Sequence, residues 1–154
     1  MQKLFSLIDE LSNKIEQHEK INSKISSASV GWHIAHSTIV VKQIVEQLEK
    51  SDPAVYKWKF SMPRSIVFLM NKIPRGKGKA PKSVQVEDNF TIERLKKFID
   101  IAQEKATMLD GMDDKKNFQH PYFGMLHVKS TLKFLLIHTN HHIQIIDDVI
   151  KASK

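Results

Sequence analysis

The sequence predicts an all-α protein, a four-helix bundle with one long connection between its second and third helices. Two observations carry this prediction. Four segments repeat their apolar residues every three or four positions, and no segment shows a marked alternation of apolar and polar residues, as a half-buried strand would. The length of 154 residues fits one domain over residues 1–154, with enough core to fold by itself.

The first two helices are predicted from spacing and from residues that end helices. The first covers about residues 2–20, where the apolar positions are Leu4, Leu7, Ile8, Leu11 and Ile15. The second begins after Ser29, whose side chain can cap the first turn, and runs to about Lys50. The run Ser51-Asp52-Pro53 ends it.

The third helix begins at Thr91 and stops at Asp110-Gly111, and the fourth runs from about Val128 to Ala152. A connection of about forty residues separates helices two and three. It contains one apolar turn at residues 65–70, and then a stretch at residues 73–81 whose glycines and prolines disfavour both helix and strand. A connection of this length indicates a crossover or a functional loop.

Composition limits the chemistry that the protein can perform. The chain has no cysteine, which excludes disulfides, zinc-thiolate sites, Fe–S clusters and cysteine nucleophiles, so His, Asp or Glu must bind any metal. No apolar run approaches the ~20 residues that span a bilayer, and the first residues turn acidic too early for a secretory signal. We therefore expect a cytoplasmic protein without a membrane partner.

The net charge of +7 raises the alternative of a nucleic-acid-binding or anion-binding bundle. Lysines elsewhere alternate with Glu and Asp, which is typical of a solvated surface and makes nucleic acid the less favoured partner. The alternative would use a basic loop between residues 64 and 82. Its cations are Arg64, Lys72, Arg75, Lys77, Lys79 and Lys82.

Histidines on the predicted helices suggest a metal site. His138 and His142 are four residues apart, so both lie in the middle of the apolar stripe of helix four. A buried imidazole needs a partner, and a divalent metal would satisfy both rings. Helix two offers His33 or His36 as a third ligand. Neutral imidazole suits zinc or nickel, with iron, manganese and copper also open.

Two stretches together resemble the DinB/YfiT-like superfamily of small metal-binding four-helix bundles. The first is S-V-G-W-H-I-A-H at residues 29–36. The second is H-P-Y-F-G-M-L at residues 120–126 with H-T-N-H-H at residues 138–142, as in a branch of unknown function with H-P-x-F-G ahead of H-x-x-H-H. The resemblance covers the whole chain. It implies metal ligands at His36, His138 and His142, with His33 as the alternative ligand.

The resemblance also implies a kind of chemistry. Members of the superfamily include thiol-dependent transferases and isomerases, and others are described as metal-dependent hydrolases. We therefore expect a divalent metal that activates water or a low-molecular-weight thiol for a small-molecule substrate, in a hydrolase or a thiol S-transferase. The sequence identifies no general base, so a non-catalytic metal-binding module stays open, as does a homodimer. His120 and His141 are candidates to line the pocket or move a proton.

Overall fold

The computed structural model describes residues 1–76 and 89–153, and it confirms that the protein is mostly helical. The described residues form five α-helices and one pair of strands. The helices are α1 (Gln2–Ser12), α2 (Val30–Lys50), α3 (Met62–Met70), α4 (Ile92–Thr107) and α5 (Val128–Ala152). The strands are β1 (Asn117–His120) and β2 (Gly124–His127).

Four long helices enclose the core. Helix α2 packs against α4 and α5, and α1 packs against the same two helices from the other side. Leu4, Leu48, Leu95 and Leu135, one from each of these helices, are fully buried. Full burial of such a side chain contributes about 1.5–3 kcal/mol, so this shared core holds the helices in place. None of the described helices is both long enough and apolar enough to cross a bilayer.

The first helix is shorter than the sequence predicts. It ends at Ser12 rather than near residue 20, and a single 3₁₀ turn follows at Ile15–Gln17. The chain then turns back against the start of α2, where the backbone N–H of Gly31 donates to the carbonyl of His18 at 2.8 Å. This bond satisfies one of the N–H groups that a helix start leaves without an internal partner.

The starts of the other predicted helices are confirmed. The Ser29 hydroxyl accepts from the backbone N–H of Trp32 at 3.0 Å, and the Thr91 hydroxyl accepts from that of Arg94 at 3.2 Å. His127 caps α5 with its ring, since Nδ1 accepts from a backbone N–H in the first turn at 3.3 Å. Helices α2 and α5 end where predicted, while α4 ends at Thr107, slightly before its predicted stop.

The long connection contains more structure than the predicted apolar turn. Helix α3 has nine residues and starts three residues earlier, at Met62. The Ser61 hydroxyl accepts from the backbone N–H of Arg64, and Pro63 lies in the first turn, where a missing N–H costs nothing. The helix ends at Asn71, which adopts a left-handed conformation with φ of 48°.

The structure adds one short pair of strands to the predicted helices. Strands β1 and β2 form an antiparallel hairpin in which Phe118 pairs with Leu126, and both of these side chains are buried. Each strand has four residues, which is too short for alternation to stand out from the surrounding sequence. The connecting turn requires glycine at Gly124, where φ is +72°.

Candidate metal centre

Three buried histidines from two helices converge inside the protein. His36 comes from α2, and His138 and His142 come from successive turns of α5. One ring nitrogen of each lies within 4.8 Å of the corresponding nitrogens of the other two, and the ring centroids are 4.6 to 5.2 Å apart. We call these three residues the histidine cluster. In the part of the chain that the structure describes, it is the group that could hold a metal ion.

The electrostatics of the histidine cluster favour neutral imidazole rings, which can bind a metal ion, over protonated ones. Burial lowers the pKa of both His138 and His142 well below the usual value, and the neighbouring histidines lower it further. Both rings are therefore neutral near pH 7, and a neutral imidazole is the form that binds metal. Within residues 1–76 and 89–153, Nδ1 of His138 is buried without a hydrogen-bond partner, which costs about 1–3 kcal/mol.

His33, the alternative ligand, lies beside the histidine cluster. Its Nδ1 is 2.9 Å from Nδ1 of His142, and its Nε2 is 2.9 Å from the Ser26 hydroxyl oxygen. That oxygen also accepts from the backbone N–H of Ala28 at 3.1 Å. Because Nδ1 of His142 is hydrogen-bonded to His33, a metal would bind to Nε2 of His142. Such a hydrogen bond fixes the orientation and the tautomer of a ligating histidine.

An aromatic ring covers the ligand from α2. Trp32 is stacked on His36 with 4.7 Å between ring centroids and 8° between ring planes, and it meets His33 edge-on at 5.2 Å. The sequence analysis did not assign a role to Trp32 or to Ser26. The spacing from Trp32 to His36 is four residues, which places two side chains on one helix face and could have indicated the stacking. No spacing rule connects Ser26 to His33, because Ser26 precedes the helix.

His120 holds the hairpin turn. Its Nδ1 accepts from the backbone N–H groups of Tyr122 and Phe123, both at 3.1 Å, and its ring stacks on that of Phe123 at 4.2 Å. Burial lowers the pKa of His120 to about 4. Phe134 contacts both His120 and His138, at 4.6 and 5.4 Å between ring centroids, so one aromatic ring links the turn to the histidine cluster. Any proton transfer by His120 would have to use Nε2.

His141 lies at the edge of the histidine cluster. Its ring centroid is 5.2 Å from that of His142, and it is partly exposed. Partial burial lowers the pKa of His141, and the positive charges of Arg75 and Lys72 lower it further. The residues after α3 therefore bring positive charge next to the cluster.

Two cations of the predicted basic loop form contacts within the protein. Arg64 is buried, and its guanidinium donates to the carbonyl oxygens of Lys59 at 2.6 Å and Phe123 at 3.4 Å. Arg75 forms an ion pair with Asp148 at 2.7 Å. The guanidinium of Arg64 is thus not free to bind phosphate. The remaining cations of the loop are Lys72, which is exposed, and Lys77, Lys79 and Lys82, which lie outside the described residues.

Comparisons of this chain with protein-family models, with curated proteins and with solved structures find no match. The resemblance to the DinB/YfiT-like superfamily therefore stays a prediction from the two motifs. The function has to be argued from the geometry of the histidine cluster.

Proposed function

We propose that this protein is a divalent-metal-dependent enzyme of the DinB/YfiT-like type, in which α1, α2, α4 and α5 form a four-helix bundle. His36, His138 and His142 would be its metal ligands, with zinc or nickel as the first candidates. Iron, manganese and copper are also compatible with imidazole ligands. One observation carries the proposal: three buried, closely spaced imidazoles from two helices, each offering a ring nitrogen.

Three neutral ligands leave the charge of a bound divalent ion uncompensated, so the ion would acidify a water molecule or a thiol and make it a nucleophile. The protein's own contribution is to hold its rings in place. His33 bonds to His142, and Trp32 stacks on His36. A fixed set of imidazoles suits either hydrolysis or the transfer of a low-molecular-weight thiol.

The charge beside the histidine cluster favours a small anionic substrate. Lys72, which is exposed, and Arg75, whose guanidinium is paired with Asp148, lie close enough to His141 to lower its pKa. A positive potential at the edge of a site raises the local concentration of anions, which includes thiolates and the carboxylates that small thiols carry. A low-molecular-weight thiol is therefore the substrate class that we propose.

Metal content tests the ligand assignment. We expect about one divalent transition-metal ion per chain, bound with the open coordination typical of three-histidine sites. The combined variant His36→Ala, His138→Ala and His142→Ala should lose the ion, whereas His18→Ala, outside the cluster, should keep it. Loss of the metal in His33→Ala but not in His36→Ala would show that the assignment on α2 is wrong.

Activity tests the reaction. The metal-loaded protein should consume a low-molecular-weight thiol in the presence of an electrophile, or hydrolyse an ester or amide, and the triple alanine variant should do neither. Metal binding without either activity would favour a non-catalytic metal-binding module. Folded protein that binds no specific ion would contradict the proposal as a whole.

A further inference from the structure

The segment from Pro53 to Val86 carries the whole excess charge of the protein. It holds eight of the 24 basic residues and none of the 17 acidic ones, so the rest of the chain has a formal charge of −1. Its described part, residues 53–76, also exposes large apolar side chains. These are Val55, Trp58, Phe60, Met62, Ile66, Leu69 and Met70. Soluble monomers rarely expose so many large apolar side chains together, and such surfaces mark interaction sites.

Helix α3 turns its more apolar face outward. Arg64 and Val67 are buried against the rest of the protein. Ile66, Leu69 and Met70 are exposed, and the side chain of Leu69 is 84% exposed. Helical spacing places these three, with Met62 one turn earlier, on one side of the helix. Val67 and the partly buried Phe68 pack inward, but more large apolar side chains lie on the outer side of α3, unlike an ordinary surface helix, whose apolar stripe faces the core.

Trp58, one of the two exposed aromatic residues before α3, is held against the helix. The guanidinium of Arg64 lies 5.7 Å from the ring centroid of Trp58, and it donates to the carbonyl of Lys59. The Ser61 hydroxyl donates to the carbonyl of Tyr122 in the hairpin turn at 3.4 Å. The apolar side chains from Trp58 to Met70, with exposed Lys57, Lys59 and Lys72, therefore belong to one anchored unit, which we call the α3 face.

We propose that the α3 face docks on an anionic lipid surface. Charge complementarity favours this partner, because anionic headgroups attract the lysines while the acyl region accepts the aromatic and aliphatic side chains. A second copy of the chain would bring like charges together, with no carboxylate in the segment to pair with them. Nucleic acid would attract the lysines but leave Leu69 and Met70 in water. This proposal departs from the expectation of no membrane partner, which rested on the lack of an apolar run long enough to span a bilayer; binding at the surface needs no such run.

Co-sedimentation with vesicles tests the proposal. The protein should bind vesicles of phosphatidylcholine mixed with phosphatidylglycerol, should bind pure phosphatidylcholine far less, and should dissociate as salt is added. Lys57→Gln with Lys59→Gln should weaken binding roughly thirtyfold, since each lysine near the surface contributes about fivefold. Leu69→Gln with Met70→Gln should weaken it at least about tenfold. The matched control is Ile21→Gln, which changes an exposed apolar residue outside the segment and should bind normally.

Tryptophan fluorescence gives a second readout. Insertion should shift the emission of Trp58 to shorter wavelength on anionic vesicles, and Trp58→Phe should remove this shift. Equal binding to neutral and anionic vesicles, or no binding to either, would overturn the proposal. If the protein does not bind vesicles but forms a dimer, and the combined variant Leu69→Gln with Met70→Gln is monomeric, the α3 face would instead bind a second copy of the chain. Binding of single-stranded DNA without vesicle binding would assign it to nucleic acid.

Discussion

The histidine cluster and the α3 face depart from the ordinary distribution of polarity in opposite directions. The cluster places polar rings in the interior, and the face places large apolar side chains in water. The buried rings have neighbours that fix them: His33 bonds to His142, and Trp32 stacks on His36. Of the exposed side chains, Trp58 lies against the Arg64 guanidinium, whereas Leu69 is 84% exposed. Substitution of a buried polar residue in the cluster should therefore lower the stability of the protein. Substitution of an exposed apolar residue in the α3 face should affect binding more than stability.

The supporting elements explain the difference. The cluster lies on α2 and α5, which have 21 and 25 residues and contribute much of the core. Helix α3 has nine residues, of which Arg64 and Val67 are buried. Substitutions in the two regions should differ accordingly, and four predictions test this.

The largest effect should come from acid. His120 has an ordinary pKa of 6.5 when the chain is unfolded and a pKa of about 4 when it is buried in the fold. Between these values the unfolded state binds more protons, so stability falls as pH falls from 6.5 to 4. The loss from this one residue is about 3 kcal/mol at pH 4. Urea unfolding of wild type and His120→Gln over this range measures it, and the variant should show a shallower slope.

The variant also loses the two hydrogen bonds that His120 accepts from the hairpin turn, which lowers its stability at every pH. The pH range separates the two effects: well above pH 6.5, where His120 is neutral, the lost turn bonds lower the stability of the variant by a constant amount, and only below that pH should the two curves converge. Parallel curves for the two proteins would contradict the prediction. Substitutions in the α3 face should leave the pH dependence of stability as it is in the wild type.

Removal of metal should have the next largest effect. A ligand at a hundredfold excess over its dissociation constant stabilises the folded state by about 2.7 kcal/mol. We expect chelation to lower the melting temperature while helical circular dichroism at room temperature is retained, because the shared core is sufficient to fold the chain. Vesicle binding should not change. Complete loss of helical signal on chelation would instead show a structural metal site.

The sequence predicted what depends on periodicity and local rules. Buried positions at helical spacing identified the long helices, and the cap at Ser29 and the helix start at Thr91 were found because such signals are local. The same periodicity brought His138 and His142 to one interior face. The resemblance added His36, which the structure brings to the same place, while His33 lies beside it. The cytoplasmic location remains a prediction.

What the sequence missed depends on contacts between distant residues. The segment after α1 bonds to the start of α2 through the carbonyl of His18 and the N–H of Gly31, and Arg64 is buried where carbonyls of the preceding loop and the hairpin accept from it. The pairing of β1 with β2 involves too few residues to leave a pattern. The outward face of α3 was also missed, because apolar spacing does not show which side of a helix meets the core.

A smaller effect should follow from loss of the hydroxyl that bonds to His33. Ser26→Ala removes that partner, so His33 holds His142 less firmly, and the affinity for metal should fall by about 10- to 100-fold without being abolished. Titration calorimetry measures the affinity, and nitrogen-15 spectra of the His142 ring report whether Nδ1 keeps its proton. Ser27→Ala, at the exposed neighbouring serine, is the matched control and should bind metal normally. An unchanged affinity in Ser26→Ala would contradict the positioning role.

The smallest effect should come from Leu69→Ala, for which the same truncation at the buried Leu135 is the reference. Leu135→Ala removes a fully buried side chain from α5 and should cost about 2–5 kcal/mol in the free energy of unfolding. Leu69→Ala removes a side chain that is 84% exposed, so little apolar contact is lost, and alanine is the better helix former. Its effect should stay within about 0.5 kcal/mol. Urea unfolding at two protein concentrations measures both variants. A cost above about 1.5 kcal/mol for Leu69→Ala that grows with protein concentration would show that the α3 face is packed against a second copy in solution.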